Sequence, residues 1–556
     1  MKEAVVEIIK NALKAEEIIL SRENISEKIE IPPSEEMGDF AFPCFFLSKI
    51  LKKNPNQIAE ELVKKINDPK KFEKIEARGP YLNFFKNRIA EAENLINEIK
   101  KQGDRFGSKN IGKKEKIIIE HTSINPNASP HVGRMRNALI GDSLTKILKF
   151  MNFKPEVHYY VNDVSKQIAM LVLAKAENKK FDGLLKEYIK IAKKVKNSGK
   201  LEKQVFGILQ KFENGDKEVI LKFKKIVNTA VIGQKKILAQ LGIHYDFFDY
   251  ESSFQNESQK ILEKLNQTGK LFKDEEGRMV LNQAGTSVEN QMKSPIFVLT
   301  RSDGTGLYPL RDISYTIYKN SLSKKNIIVL GEDQKLYFQQ LCETLKLLKQ
   351  NFPEAVHYSF ILLAKKGKSK KMSTRRGDVV LLEDFLDNAV SKAKKEINKR
   401  KTKGDPNVVG VGAVKYAILK NSNNKMIHFD LDEALNFDGD TGTYLQYSYA
   451  RASSIIKKAG PNPTKKTIND LENGEIRLIK KLLEFPEIVL KAYNSSNPSI
   501  IANYSYSLAQ IFNEFYHSCP VIGSEKENFR IDLVNSFRQA LKNSLHLLGI
   551  DVIEQM

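Results

Sequence analysis

Apolar and polar positions alternate in blocks along the 556 residues, and the most telling block runs from 116 to 151. Residues 116–120 read Lys-Ile-Ile-Ile-Glu, the β-branched density of a strand buried on both faces. A loop rich in Asn and Pro follows at 122–130. From His131 the apolar residues Val132, Met135, Leu139, Leu144, Ile147 and Met151 recur at helical spacing. Strand, loop and helix in succession predict the opening of a doubly wound α/β fold. Residues 157–163 read as the next strand. A Lys/Glu-rich helical stretch at about 165–245 then interrupts the alternation, as an insertion does. A turn and helix at 297–319, a strand at 326–331, a helix and a strand at 357–364 resume it. From about 380 onward the pattern is helical, without strand alternation. Ahead of this region, an amphipathic helix, a Pro32-Pro33 turn, a helical stretch and two extended segments outline a small α+β module, closed by a polar linker near 100–116.

Composition narrows the classes. At 41% hydrophobic residues the chain can build several cores. No apolar run reaches the roughly 18 residues of a spanning helix, so no membrane partner is expected. The N-terminus is charged and helix-periodic, unlike a secretory signal. Cys44, Cys342 and Cys519 are too dispersed for a CxxC-type zinc site or a disulfide framework; no zinc is expected, and a reducing cytoplasm fits. The net charge of +22 favours a polyanionic partner. Charge alone argues this only modestly, because the lysines are scattered through a chain also rich in Asn and Ile.

Two constellations carry candidate chemistry. His131-Val132-Gly133-Arg134 opens the first helix of the α/β region. A helix start exposes N–H groups and partial positive charge that favour phosphate, and Gly133 lets a flat base approach the backbone. Lys371-Met372-Ser373-Thr374 lies in a loop crowded with cations, Lys365 through Arg376, suited to a triphosphate and to charge developing on a leaving pyrophosphate. Taken singly, the first is equally a capped helix and the second a solvated basic loop. There is no Walker A pattern.

Together with their surroundings these segments resemble arginyl-tRNA synthetases. HTSINPNASPHVGRMRNALIGDSL is similar to the first class I signature in its arginyl context, and KKMSTRRGDVV to the second. YYVNDVSKQ, RSDGTGLYPLRDISYTIYK, VLGEDQKLYFQQL, the stretch from Val409 to Ala452, ARGPYLNFF near the N-terminus and the closing LHLLGIDVIEQM follow in the family's order. Two positions depart from the superfamily pattern: Arg134 stands where His is usual, and Thr374 where Lys is usual.

The resemblance implies a multidomain α/β protein. It has a doubly wound, Rossmann-like (HUP-type) parallel-sheet catalytic domain with a helical insertion, an α+β N-terminal domain and an all-α C-terminal anticodon-binding domain. The expected boundaries are 1–110 for a tRNA-contacting N-terminal domain and 111–385 for the catalytic domain, with its insertion at about 165–295. A connecting segment follows at 386–435, and the helical domain at 436–556. The implied reaction is activation of L-arginine by ATP, accompanied by Mg²⁺, and transfer of the arginyl group to the 2′-OH of the terminal adenosine of tRNA(Arg). The family commonly needs bound tRNA for activation. His131, Gly133, Arg134, Lys371 and Ser373 would be catalytic, and Met372 joins His131, Gly133, Lys371 and Ser373 at ATP.

A pocket for arginine needs acceptors for a planar five-donor cation and a separate polar group for the α-amine. By resemblance, Asp312 and Glu120 serve the guanidinium, Tyr308 shapes that pocket, Asn125 and Gln334 take the amino-acid backbone, and His131 also touches arginine. Such a site rejects analogues lacking its hydrogen-bonding groups, so no editing domain is needed. Tyr444, Gln446, Tyr447, Tyr449 and Arg451 concentrate groups that stack on and read unpaired bases, though each is equally suited to packing between helices. A cytoplasmic monomer is expected. The rival readings are a nucleotidyltransferase of the same superfamily that uses no tRNA and a non-catalytic RNA-binding paralogue.

Overall fold

The computed structural model describes residues 2–66, 72–365, 368–370, 380–460 and 468–556. Packing divides them into two units. The first holds Met1–Gly103 with Pro461–Leu483 and Glu514–Ser536. Here Phe40–Pro43 (β1), Phe72–Arg78 (β2) and Tyr81–Lys86 (β3) form an antiparallel sheet in the order β1–β3–β2. The helices Lys2–Lys14 and Pro55–Lys64 place Val5, Ile9, Leu13, Ile58 and Leu62 in one apolar cluster with Phe42 and Phe84. Asn54 caps the second helix by accepting from the Asn56 N–H, with Pro55 at its first turn, where the missing donor costs nothing.

The second unit holds Asp104–Gly460, Glu484–Asn513 and Phe537–Met556. Its strands in chain order begin with Lys116–Glu120 (β4), Lys154–Val161 (β5) and Phe247–Tyr250 (β6). A small antiparallel sheet follows, Leu271–Lys273 (β7), Met279–Asn282 (β8) and Ile296–Val298 (β9), then Asn326–Gly331 (β10) and Glu354–Tyr358 (β11). β4, β5, β6, β10 and β11 make one parallel sheet in the order β11–β10–β4–β5–β6. The chain runs outward from β4 through β5 to β6, then restarts on the other side at β10. The reversal between β4 and β10 is the switch point at which doubly wound sheets hold ligands. The helix Val132–Phe150 packs closely on β4, because Gly141 leaves no side chain where the His121 ring lies. Buried Arg136 of that helix donates to the Ser359, Lys425 and Ser422 carbonyls at 2.6–2.8 Å, tying the loop after β11 and the segment 422–425 to the helix.

Three elements differ from the sequence expectation. The insertion is helical over Lys166–Leu173, Phe181–Lys196, Gly199–Glu213 and Lys217–Gln240. Within the expected 165–295, however, the chain returns to the main sheet as β6 and then builds β7–β9. These strands are three or four residues long, too short for a periodicity to register. Nor is the region after 380 wholly helical. Ile361–Lys365 (β12) pairs antiparallel with Lys368–Lys370 (β13) and parallel with Ile427–Phe429 (β14). Finally, residue 436 is no packing boundary. The helix Gly442–Ala459 lies on the helix Pro406–Leu419 and on the C-terminal segment, where the Gln446 amide donates to the Val408 and Asp551 carbonyls.

Candidate active site

β4 and β10 run side by side, with Glu120 opposite Ile328, and a cavity of about 760 Å³ opens at their carboxyl ends. Glu120 closes β4 and lines the cavity, as does Asn125 from the loop that follows. His131, Gly133 and Arg134 enter from the start of the helix Val132–Phe150, Tyr308 and Asp312 from the first turns of the helix Tyr308–Leu322, and Gln334 from beyond β10. Residues spread over more than two hundred positions of sequence thus share one chamber.

The loop after β4 is held in an unusual shape. Thr122 and Ser123 have φ of 77° and 41°, a region that a β-branched residue rarely occupies. Thr122 is fixed there by the Tyr245 hydroxyl and the His121 ring, at 2.7 and 2.8 Å from its Oγ1. Its N–H donates to Asn137 Oδ1. Such locally strained backbone, over-determined by its neighbours, is typical of sites that position ligands.

One end of the cavity is acidic. Asp312 is buried and accepts a hydrogen bond from the Tyr337 hydroxyl at 2.8 Å. Burial raises its carboxyl to about 6; the Lys319 ammonium opposes that rise and the Glu120 charge adds to it. Glu120 is buried too, paired through Oε2 with buried Lys319. Asn162 Oδ1, Gln167 Oε1 and Tyr160 Oη are buried in the cavity wall without a hydrogen-bond partner among the described residues. A buried orphan acceptor is costly unless a ligand satisfies it. These three groups and Tyr337 escaped the residue assignments made from sequence, although YYVNDVSKQ and VLGEDQKLYFQQL had been singled out as segments.

The other end is set by the helix start. His131 occupies the cap position with its Nδ1 buried and unpartnered, and burial, then Arg134, lowers the imidazole to about 4, so the ring is neutral at pH 7. Not every N–H of this helix start is open to a ligand: Val132 donates to the Val380 carbonyl at 3.1 Å and Arg134 to the His131 carbonyl at 2.9 Å. The contact with Val380 places the chain that follows the basic loop against the helix start. Lys371, Met372 and Ser373 lie outside the described residues.

Asn513, on the helix Ser499–Ser518, gathers the side chains of Tyr444 and Arg451 of the helix Gly442–Ala459 at 2.7 and 2.5 Å, and the Arg451 guanidinium lies 4.7 Å over the Tyr447 ring. Tyr444, Tyr447 and Arg451 are partly exposed. Gln446 is not an RNA contact in this arrangement. It is fully buried, and its amide is spent on the two carbonyls named above. Tyr449 is likewise buried, its hydroxyl on Glu554 at 3.0 Å.

Residues 95–431 match the family model described as tRNA synthetases class I (R), catalytic domain. Residues 2–86 match the arginyl tRNA synthetase N terminal domain, and 445–556 the DALR anticodon binding domain. The chain is 37% identical to the arginine--tRNA ligase of Methanocaldococcus jannaschii over 98% of this chain and 99% of the relative. It is 35% identical to that of Clostridium perfringens over 97% and 98%. The solved Thermus thermophilus arginyl-tRNA synthetase superposes with a TM-score of 0.74 at 25% identity, each chain covered completely.

Proposed function

The chain belongs to the arginyl-tRNA synthetases of class I, and from that membership we propose that the cavity at the β4–β10 switch point is where arginine and ATP meet. Its reaction is that of an arginine--tRNA ligase: ATP-dependent charging of tRNA(Arg) with arginine.

Arginine's guanidinium points to the acidic end, with Asp312 and Glu120 as its charged acceptors and Tyr308 shaping the wall. Asn162, Gln167 and Tyr160 add neutral acceptors to a group made only of donors. Asn125 and Gln334 take the α-amino and carboxylate end, and His131 bounds arginine on the side of ATP. ATP lies toward Gly133, Arg134 and neutral His131, which donates to phosphate. Mg²⁺ would come with ATP and would offset charge on its phosphates; His131, Gly133 and Arg134 at this end are donors, suited to phosphate oxygens rather than to a metal. Lys371, Met372 and Ser373 complete the ATP site by family resemblance, and the position of Val380 beside the helix start supports that assignment.

The arginine carboxylate attacks the α-phosphate and pyrophosphate departs. The tRNA's terminal 2′-OH then attacks the adenylate carbonyl. No side-chain nucleophile is required, so the protein acts by positioning and by stabilising developing charge. Partly exposed Tyr444, Tyr447 and Arg451 offer stacking and donor groups to the anticodon.

The observation that carries this reading is the buried carboxylate pair at one end of a cavity whose other end is a helix start. ATP–pyrophosphate exchange with each amino acid, with and without tRNA, tests it. Arginine-specific exchange that depends on tRNA is expected. Exchange without amino-acid preference, or none under any condition, would return the chain to the nucleotidyltransferase or the paralogue reading.

A further inference from the structure

Lys319 lies two turns beyond Asp312 on the helix Tyr308–Leu322, and is 1% exposed. Its ammonium pairs with Glu120 Oε2 and sits 4.3 Å from the centre of the Tyr315 ring. Tyr315 is itself stacked on Tyr160 of the cavity wall at 4.6 Å. A lysine buried this deeply is retained only with a counter-charge, and truncating one partner of such a pair leaves the other uncompensated. The two carboxylates at the acidic end, less this ammonium, leave one negative charge to face arginine's one positive charge.

We propose that Lys319 is a positioning residue for arginine: an internal cation that pairs with Glu120 beside Asp312 and so matches the pocket's charge to a single guanidinium. The inference rests on the assignment of Glu120 and Asp312 to the guanidinium. In a dry pocket two neighbouring carboxylates resist joint ionisation, and without a cation one of them holds a proton to higher pH. That proton would place a donor against a substrate group that has only donors. The surrounding groups do not replace Lys319. Tyr315 spends its hydroxyl on Asp249 of β6 at 2.8 Å, which also holds His158 of β5 at 2.6 Å. On the next helix, Tyr337 serves Asp312. Arg311 is committed to Glu251 at 2.6 Å. Tyr160 and Tyr308 bring no charge.

The test measures tRNA charging by the full chain, with KM for arginine and for ATP, across about pH 6 to 9. In the wild type, arginine KM should rise only toward the acid side, as the pair takes up a proton. In Lys319→Met that acid limb should move up by about one pH unit or more, because an opposite charge in contact holds a carboxylate about 1–3 units lower. At pH 7 arginine KM then rises about two-fold for a one-unit shift and about ten-fold for a two-unit shift, and recovers as pH increases, while ATP KM stays within about two-fold. Lys319→Arg should keep the wild-type limb, and if it instead moves the limb as Met does, charge is not what Lys319 supplies. In Glu120→Gln/Lys319→Met the like charge and the counter-charge are both gone. Its limb should return near the wild-type pH even though arginine KM stays raised. This double variant decides the matter should Lys319→Met not fold, and a limb still displaced upward in it overturns the proposal. Asp312→Asn separates the two levels. If it leaves arginine kinetics intact, the pocket assignment falls. If it impairs arginine use while folded Lys319→Met keeps the wild-type limb, the role of Lys319 alone falls.

Discussion

The Tyr337 hydroxyl donates to Asp312 Oδ2 at 2.8 Å, and this one bond joins the helix that follows β10 to the acid proposed to face arginine. It favours the ionised carboxylate, against the burial that raises Asp312 to about 6. A carboxyl with that value is ionised at neutral pH and takes a proton as pH falls through about 6. In wild type, kcat/KM for arginine should therefore decline on the acid side with a midpoint near that value. In Tyr337→Phe the midpoint should move upward. A hydrogen bond to a charged group contributes about 1.5–3 kcal/mol, a shift of about one to two pH units, so arginine kcat/KM at pH 7 should drop roughly two- to fifteen-fold. Steady-state kinetics at fixed ATP and tRNA across pH checks both, and an unmoved midpoint in the variant would show the bond to be idle.

The visibility of this site in the sequence was uneven, for physical reasons. Glu120, His131 and Asp312 were singled out through the family resemblance, and the structure brings all three to one cavity because each stands at the end or start of an element, where α/β folds put ligands. Lys319 was not, since its meaning depends on Glu120, 199 positions away, and a lysine on a helix reads as solvated until its neighbours are known. Asn162 and Gln167 sit just past β5, where polar residues ordinarily begin a loop. Gln446 misled for the opposite reason. It stands in a stretch of tyrosines and basic residues, yet its place on the helix turns it inward against Gly412, where an added Cβ would lie 2.7 Å from its Nε2. β6 and β14 were missed because strands so short offer no period to count.

That inward turn separates stability from RNA recognition on one helix. Gln446→Ala leaves the Val408 and Asp551 carbonyls without their donor and opens a gap beside Gly412. A loss of about 1–3 kcal/mol in unfolding free energy is expected, with anticodon discrimination unchanged in whatever remains folded. Tyr447→Ala should do the reverse. It costs little stability at a partly exposed position and lowers tRNA affinity by about 1–3 kcal/mol if a base stacks there. Urea melts beside tRNA binding measure both, and equal behaviour of the two variants would contradict the division.

Salt should act on one substrate and spare another. The chain carries a net charge of +22, and each tRNA phosphate it neutralises releases counterions. Each contact then contributes about 0.9 to the log–log slope on duplex and about 0.7 on single strands. The proposed arginine site lies among buried Asp312 and Glu120, where screening is weak. Raising salt from dilute to physiological should weaken tRNA binding steeply while arginine KM changes little. A tRNA affinity indifferent to salt would show that the positive charge is spread too evenly to matter.

The sharpest expectation concerns Asp312→Asn. The amide keeps the shape and one acceptor oxygen, but it removes the charge opposite the guanidinium and turns two donors toward a group that has only donors. It also keeps an acceptor for Tyr337, so the local packing survives and any loss belongs to the charge. Breaking one side of a buried charged pair costs about 3–5 kcal/mol, which at about 1.4 kcal/mol per factor of ten lowers kcat/KM for arginine a hundred- to a thousand-fold or more. ATP and tRNA binding should remain near wild type, because neither reaches that end of the cavity. Citrulline, with a neutral urea in place of guanidinium, supplies the internal control. Its inhibition constant should change far less than arginine kinetics do, since no charge pairing is lost for it. Circular dichroism confirms the fold. A folded Asp312→Asn enzyme with near-normal arginine kinetics would make Asp312 a helix-start acid and Glu120 the guanidinium's main partner.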